Sequence, residues 1–138
     1  MDPSKTAKAQ VSGAAISKKD SAMIGKWIKN RQIDSALLLL NEVVAKKRAV
    51  PFPKYNNSLG HKKTTPAAGK YPVNASKKVI ELLESAKSNA ENKGLNLKKM
   101  YVKNVNANKG FQFFRPRRSE FRGQVKKSTN LTIVLEER

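Results

Sequence analysis

Read for its apolar spacing, the chain opens with Lys8 to Ile16, KAQVSGAAI, where small residues and partial alternation predict an edge strand. Ser17 and Asp20 then stand at capping-box spacing, and Met23, Ile24, Trp27 and Ile28 recur at helical intervals, predicting an amphipathic helix to about Asn30. Ile33, Leu37, Leu40 and Val44 mark a second helix that ends before Pro51, with Lys46, Lys47 and Arg48 where cations favour a helix C-terminus. The short link Asn30-Arg31-Gln32 predicts an αα-hairpin and raises a helix-turn-helix. The second helix would present Asp34, Ser35, Leu38 and Glu42, a poor set for reading bases or meeting phosphates, so that reading is set aside.

Residues 49–72, with four prolines and isolated glycines, predict a long loop, a class that is usually either functional or disordered. Asn74 is the expected cap of a third helix, with Val79, Leu82, Leu83, Ala86 and Ala90 as its buried stripe and Gly94 as its stop. Leu97 to Val105 and Asn130 to Leu135 read as strands, the second with Leu131, Ile133 and Leu135 on one face. Pro116 and Gly123 mark a turn-rich segment between them, so the two strands predict an antiparallel hairpin. Arms of about 18 residues at about 3.3 Å each would extend roughly 60 Å, well beyond a body whose radius of gyration is about 13 Å. The expected whole is one domain over 1–138: three helices packed on a small antiparallel three-stranded sheet, with a long projecting β-hairpin. Its body covers about 8–100 and 128–138, its basic loop 49–72, and its hairpin about 98–135 with a tip near 111–123.

Charge changes what this small fold is expected to do. The chain of 138 residues carries 29 Lys and Arg against ten acids, a net +19 spread from Lys5 to Lys127, so its partner is expected to be a polyanion: nucleic acid, an anionic membrane or an acidic protein. Ala36 to Leu40 is the longest apolar run, far short of a spanning helix, and MDPSKTAKAQ has no secretory h-region, so an intracellular protein is expected. With no cysteine and the single His61 there is no disulfide, no thiol chemistry and no cofactor-holding ligand set. The ten acids lie mostly on helix surfaces without a base beside them, which argues against an enzyme. Gly60 to Gly69-Lys70 imitates a P-loop, but eight residues separate the glycines and Tyr71 stands where Ser or Thr should bind a metal.

Binding chemistry concentrates in residues 109–127, KGFQFFRPRRSEFRGQVKK, which hold four of the five phenylalanines. Lys109, Arg115, Arg117, Arg118, Arg122, Lys126 and Lys127 would repel one another in isolation but release counterions among phosphates. Phe113, Phe114 and Phe121 offer platforms on which unpaired bases stack, and RNA presents such bases more often than duplex DNA. Phe111 and Phe113 alternate around Gln112 and could equally face the core as the end of a strand. In the loop, Lys54, His61, Lys62, Lys63 and Lys70 beside Tyr55 and Tyr71 could wrap a phosphate backbone; a flexible solvated insertion is the other reading.

The order VIELLESAKSNAENKGLNLKKMYVKNVNANKG, then FRPRR, then KKSTNLTIVLEE closely resembles the ribosomal protein family numbered twenty-two in the large subunit, from about Val11 to Glu137. VPFPKYNNSLGHKK with GKYPV looks like the insertion of its archaeal and eukaryotic members. The resemblance implies a small α+β body on the outer surface of the large subunit, in contact with large-subunit rRNA and neighbouring ribosomal proteins. It also implies a hairpin that lines the polypeptide exit tunnel, where Phe113, Phe114, Pro116, Ser119, Glu120 and Phe121 at the tip would meet the nascent polypeptide. Arg115, Pro116 and Arg117 match the family's R-P-R element, and Lys126, Lys127, Ser128 and Thr129 its basic return strand. Family members usually carry a Gly-Arg pair shortly after R-P-R, whereas here the run is Arg118-Ser119-Glu120-Phe121-Arg122-Gly123. A cytoplasmic rRNA-binding structural protein of the ribosome is therefore expected, needing no cofactor, membrane or small-molecule substrate. The alternative is a general nucleic-acid-binding, chromatin-like basic protein.

Overall fold

The computed structural model describes residues 5–66, 68–114 and 123–138. In chain order its elements are β1 (Thr6–Ala14), α1 (Lys18–Ile28), α2 (Ile33–Val44), β2 (Val50–Pro51), β3 (Gly69–Lys70), α3 (Val73–Asn92), a 3-10 turn (Leu97–Lys99), β4 (Met100–Lys109), β5 (Phe113–Phe114), β6 (Val125–Lys126) and β7 (Thr129–Glu137). The architecture is α+β, with three helices and an antiparallel sheet in the order β1-β7-β4.

Alternation in β7 explains its central place. Leu131, Ile133 and Leu135 are fully buried, and register sets Ala9, Ile133 and Val105 in one apolar row and Ala7, Leu135 and Val102 in the next. Cross-strand partners share a face, so these rows form the floor of the core and the opposite face is mostly polar, with Val134 its apolar position in the central strand. β1 is an edge strand, as its composition predicts. Side chains of α3 cover part of that edge: Asn89 Nδ2 donates to Lys8 O at 3.0 Å and Lys93 Nζ to Thr6 O at 2.9 Å.

At the other edge, the link between α1 and α2 is sewn to β4. Asn30 N donates to Val102 O and Val102 N to Arg31 O, both at 2.8 Å, and Gln32 bridges Tyr101. A link so tied cannot serve as the free turn of a DNA-reading helix pair. α1 begins as its capping box predicts, with Ser17 Oγ accepting from Asp20 N. It packs on β4 through Gly25, where a Cβ would stand 2.9 Å from Val105 Cβ and 3.0 Å from Val105 O.

Three helix details differ from expectation. In α2 the fully buried positions are Ile33, Ala36, Leu40 and Val43, so the core-facing stripe is rotated slightly and Leu37 and Val44 lie half-buried at its margin. α3 starts before Asn74: Pro72 occupies the cap position, and its carbonyl accepts from Ser76 N at 2.9 Å, so the ring-fixed φ of Pro72 opens the first turn. Leu97–Lys99 form a 3-10 turn capped by Asn96, and β4 runs on to Lys109. The α3 stripe is buried throughout, and Gly94, at φ 71°, ends the helix with Gly94 N donating to Glu91 O and Leu95 N to Ala90 O.

Segment 49–72 is anchored rather than free. β2 and β3 pair Val50 with Lys70 and Pro51 with Gly69, and Ala49, Val50 and Phe52 are buried in the core. Gly69 is required here, because a Cβ would lie 2.8 Å from Thr65 Oγ1 and 3.1 Å from Ala49 Cβ. The hairpin arms continue beyond the sheet, with Phe113 opposite Lys126 and Phe114 opposite Val125. Lys109 pairs with Thr129, so three residues on the outgoing arm face two on the return. This extra residue makes the hairpin root irregular, as a bulge does.

Candidate nucleic-acid interface

The hairpin leaves the body at a junction built from short polar residues. Thr129 Oγ1 donates to Ile16 O at 2.8 Å, tying the start of β7 to the turn that precedes α1. Gly110 N donates to Ser128 O at 3.0 Å, and Ser128 Oγ donates back to Phe111 O. Gly110 has no room for a side chain: a Cβ would be 2.5 Å from Ser128 Oγ and 3.0 Å from Asn130 Oδ1.

These contacts bring α1's first turn against both arms. The result is a cleft of about 340 Å³ lined by Ser17, Lys18, Lys19, Lys109, Gln112, Lys127, Ser128 and Thr129. Four lysines line it and no acid does. Among the described residues none of the four pairs with a carboxylate, although six ion pairs form elsewhere on the protein. Lys18 and Lys19 stand in the first turn of α1, the end at which the helix dipole disfavours cations. An anion in the cleft relieves both repulsions, and the Ser17 hydroxyl and the Gln112 amide are the lining side chains whose protons are free to donate to its oxygens, since Ser128 and Thr129 already donate to Phe111 O and Ile16 O.

Of the residues that the sequence singles out, Lys109 and Lys127 line this cleft, and Lys126 lies exposed beside Lys127. Lys54 reaches the same surface through Tyr55, whose ring has Lys54 Nζ at 5.6 Å and Lys19 Nζ at 5.3 Å from its centroid. Lys62 sits half-buried with its ammonium 5.9 Å from the Tyr71 ring, while His61 and Lys63 are exposed on the loop. Lys70 is committed elsewhere: its ammonium contacts both carboxylate oxygens of Asp20, at 3.2 and 3.1 Å. Arg115, Pro116, Arg117, Arg118, Ser119, Glu120, Phe121 and Arg122 lie outside the described residues.

The phenylalanines resolve one open question. Phe111 is 71% exposed, Phe113 56% and Phe114 74%, so the core reading of Phe111 and Phe113 is wrong. They face solvent because the strand leaves the body before reaching them, and the irregular root turns them beside each other as an edge-to-face pair with centroids 4.8 Å apart. Sequence reasoning missed Lys18, Lys19 and Gln112. The signal available for the two lysines was their position in the first turn behind a capping serine, where acids are favoured.

Comparison with known proteins adds a family. The model of the family described as ribosomal protein L22p/L17e matches residues 9–136. The chain is 39% identical over 136 residues to the large ribosomal subunit protein uL22 of Methanococcoides burtonii, covering 99% of this chain and 89% of that protein. It is 36% identical over 141 residues to the protein of the same description from Methanococcus aeolicus, covering 99% and 92%. For Methanocaldococcus jannaschii the identity is 35% over 142 residues, covering 99% and 91%.

Proposed function

Because the chain belongs to the ribosomal protein L22p/L17e family, whose members are structural components rather than enzymes, we propose that it is an rRNA-binding constituent of the large subunit in the cytoplasmic ribosome. The lysine cleft at the hairpin root clamps the backbone of large-subunit rRNA. The aromatic arm beyond it inserts among RNA segments and continues to the wall of the polypeptide exit tunnel. By neutralising phosphates where the arm enters, the protein helps neighbouring rRNA segments pack during assembly, beside other ribosomal proteins.

The observation that carries this reading is the coincidence, at one end of the sheet, of a four-lysine cleft that no acid lines with Phe111, Phe113 and Phe114 exposed on the arm. Phosphates satisfy the first, and unpaired bases or a passing peptide the second. A duplex-compacting, chromatin-like protein would have use for the lysines but not for the rings.

A photo-crosslinking phenylalanine analogue at position 114, and at position 38 on α2 as control, tests the reading in translating ribosomes. Position 114 should capture rRNA and short nascent chains, and position 38 should capture no nascent chain. Failure of position 114 to reach a nascent chain in stoichiometrically assembled subunits removes the tunnel role. Loss of the protein from the large subunit in a high-salt gradient, with recovery on DNA, removes the reading as a whole.

A further inference from the structure

The face of the sheet turned away from the helices has a composition that its surroundings do not explain. Register aligns Gln10, Thr132 and Asn106 in one row across all three strands, and Asn130 with Asn108 in the next. Asn104 lies one alternation back on β4 and donates through Nδ2 to Asn106 Oδ1 at 3.0 Å. Asn130 Oδ1 accepts from Gly13 N at 2.8 Å. Among the described residues, the side chains of Gln10, Asn108 and Thr132 have no hydrogen-bond partner.

Two physical points make this a choice of residues rather than a default. Asparagine is disfavoured in strands, yet β4 repeats it at every outward position from 104 to 108 with no packing gain. A chain with 29 Lys and Arg also withholds charge from these rows. A face meant for phosphates would carry lysines, and a merely solvated strand would carry Thr or Lys.

Neutral amides and a hydroxyl donate and accept at once. That matches the minor groove of an A-form RNA helix, which is wide and shallow and presents 2′-hydroxyls, themselves donor and acceptor, with base edges. Three strands about 4.8 Å apart give a face about 10 Å across, with shallow relief. Lys8, at the edge of the same face, is placed for a flanking phosphate. The occupant is argued from continuity as well as chemistry: Asn108 and Asn130 pair immediately before Lys109 and Thr129, so these rows are the reverse side of the strands that line the cleft.

We propose that the amide face Gln10–Thr132–Asn106 and Asn130–Asn108 docks an RNA helix through its minor groove, reading 2′-hydroxyls rather than phosphates, so that RNA flanks the hairpin root on both sides. This rests on the rRNA-binding reading above. It adds a surface whose contribution to affinity is nearly independent of salt.

The triple variant Asn106→Val, Asn108→Val, Thr132→Val raises strand propensity while removing the polar groups. The full-length variant should melt no lower than wild type yet bind large-subunit rRNA about tenfold or more weakly, with the slope of log affinity against log salt unchanged. An RNA duplex should compete with the wild type better than its DNA counterpart, and this preference should vanish in the variant. Unchanged rRNA affinity overturns the proposal, as does a loss accompanied by a shallower slope, which would mean phosphate contacts. Unchanged rRNA affinity with loss of a neighbouring ribosomal protein from reconstituted particles also overturns it, in favour of a protein partner. If wild type itself shows no preference for rRNA, the underlying reading has failed instead.

Discussion

Replacing Lys18, Lys19, Lys109 and Lys127 together by glutamine separates the two effects that the proposed phosphate clamp requires, repulsion in the free protein and attraction to RNA. In the free protein the change removes mutual repulsion among four cations in a cleft that no acid lines, none of them ion-paired among the described residues. It also removes two cations from the first turn of α1, where each unfavourable dipole interaction amounts to about 0.3–1 kcal/mol before screening. The variant should therefore melt at the same temperature as wild type or a few degrees higher at low salt. On RNA the expectation reverses. If each lysine neutralises one phosphate, the slope of log affinity against log salt becomes shallower by about 0.7–0.9 per contact, so by about 2.8–3.6 for four. Raising salt from about 50 to about 200 mM should then weaken wild type by about 50- to 150-fold more than the variant. Filter binding or fluorescence anisotropy across that range, with thermal melts of both free proteins, provides the readout. An unchanged slope would refute the phosphate clamp, and a large fall in melting temperature would show the lysines to be structural.

Gly25→Ala places a methyl 2.9 Å from Val105 Cβ and 3.0 Å from a backbone oxygen that cannot turn aside, so the free protein should lose about 1–3 kcal/mol in denaturant unfolding. Phe113→Ala, at a 56% exposed ring, should leave the melting temperature within about a degree or two but weaken binding to rRNA fragments with unpaired bases by about 1–3 kcal/mol. Glu136 is held below its ordinary value of 4.5, chiefly by the hydrogen bond from Lys103 and further by that lysine's charge and Arg138. A carboxyl with a lowered folded pKa contributes stability above its unfolded pKa and loses it as pH falls through the folded value. Glu136→Gln should therefore be less stable than wild type at pH 7, and the gap should close on acidification below the usual carboxylate range; a gap unchanged by pH would refute this pairing.

The body was legible because its periodicities are strong. Leu131, Ile133 and Leu135 announced a half-buried strand, and the α3 stripe is buried residue for residue. Phe52 was not legible: among prolines and lysines it carries no periodicity, and only the β2–β3 pairing shows that it fills the core. The cleft lay beyond sequence reading for a different reason. Lys19 and Lys109 are 90 positions apart, and they converge only because Thr129 ties the hairpin root to the turn before α1. Phe111 and Phe113 had the spacing of a strand's inner face, and spacing alone does not tell where a strand outruns the body.

Three departures from local rules meet around that root. Cations occupy the positive end of α1, asparagines repeat in a strand that prefers branched residues, and three phenylalanines stand in solvent. Each disfavours the free fold by an amount on the order of tenths of a kcal/mol to about 1 kcal/mol. Elsewhere many of these rules are kept: acids pair with bases on the helices, apolar rows close the core, and Gly94 stops α3, although Leu38 is exposed on α2. The meeting of three such exceptions at one end of one hairpin is the pattern expected where a surface is built for a partner. The exceptions also call for different chemistry, since phosphates answer the lysines, sugar and base edges answer the amides, and base faces answer the rings. Folded RNA presents all three together, whereas an anionic membrane presents only the phosphates and an acidic protein only carboxylates in their place.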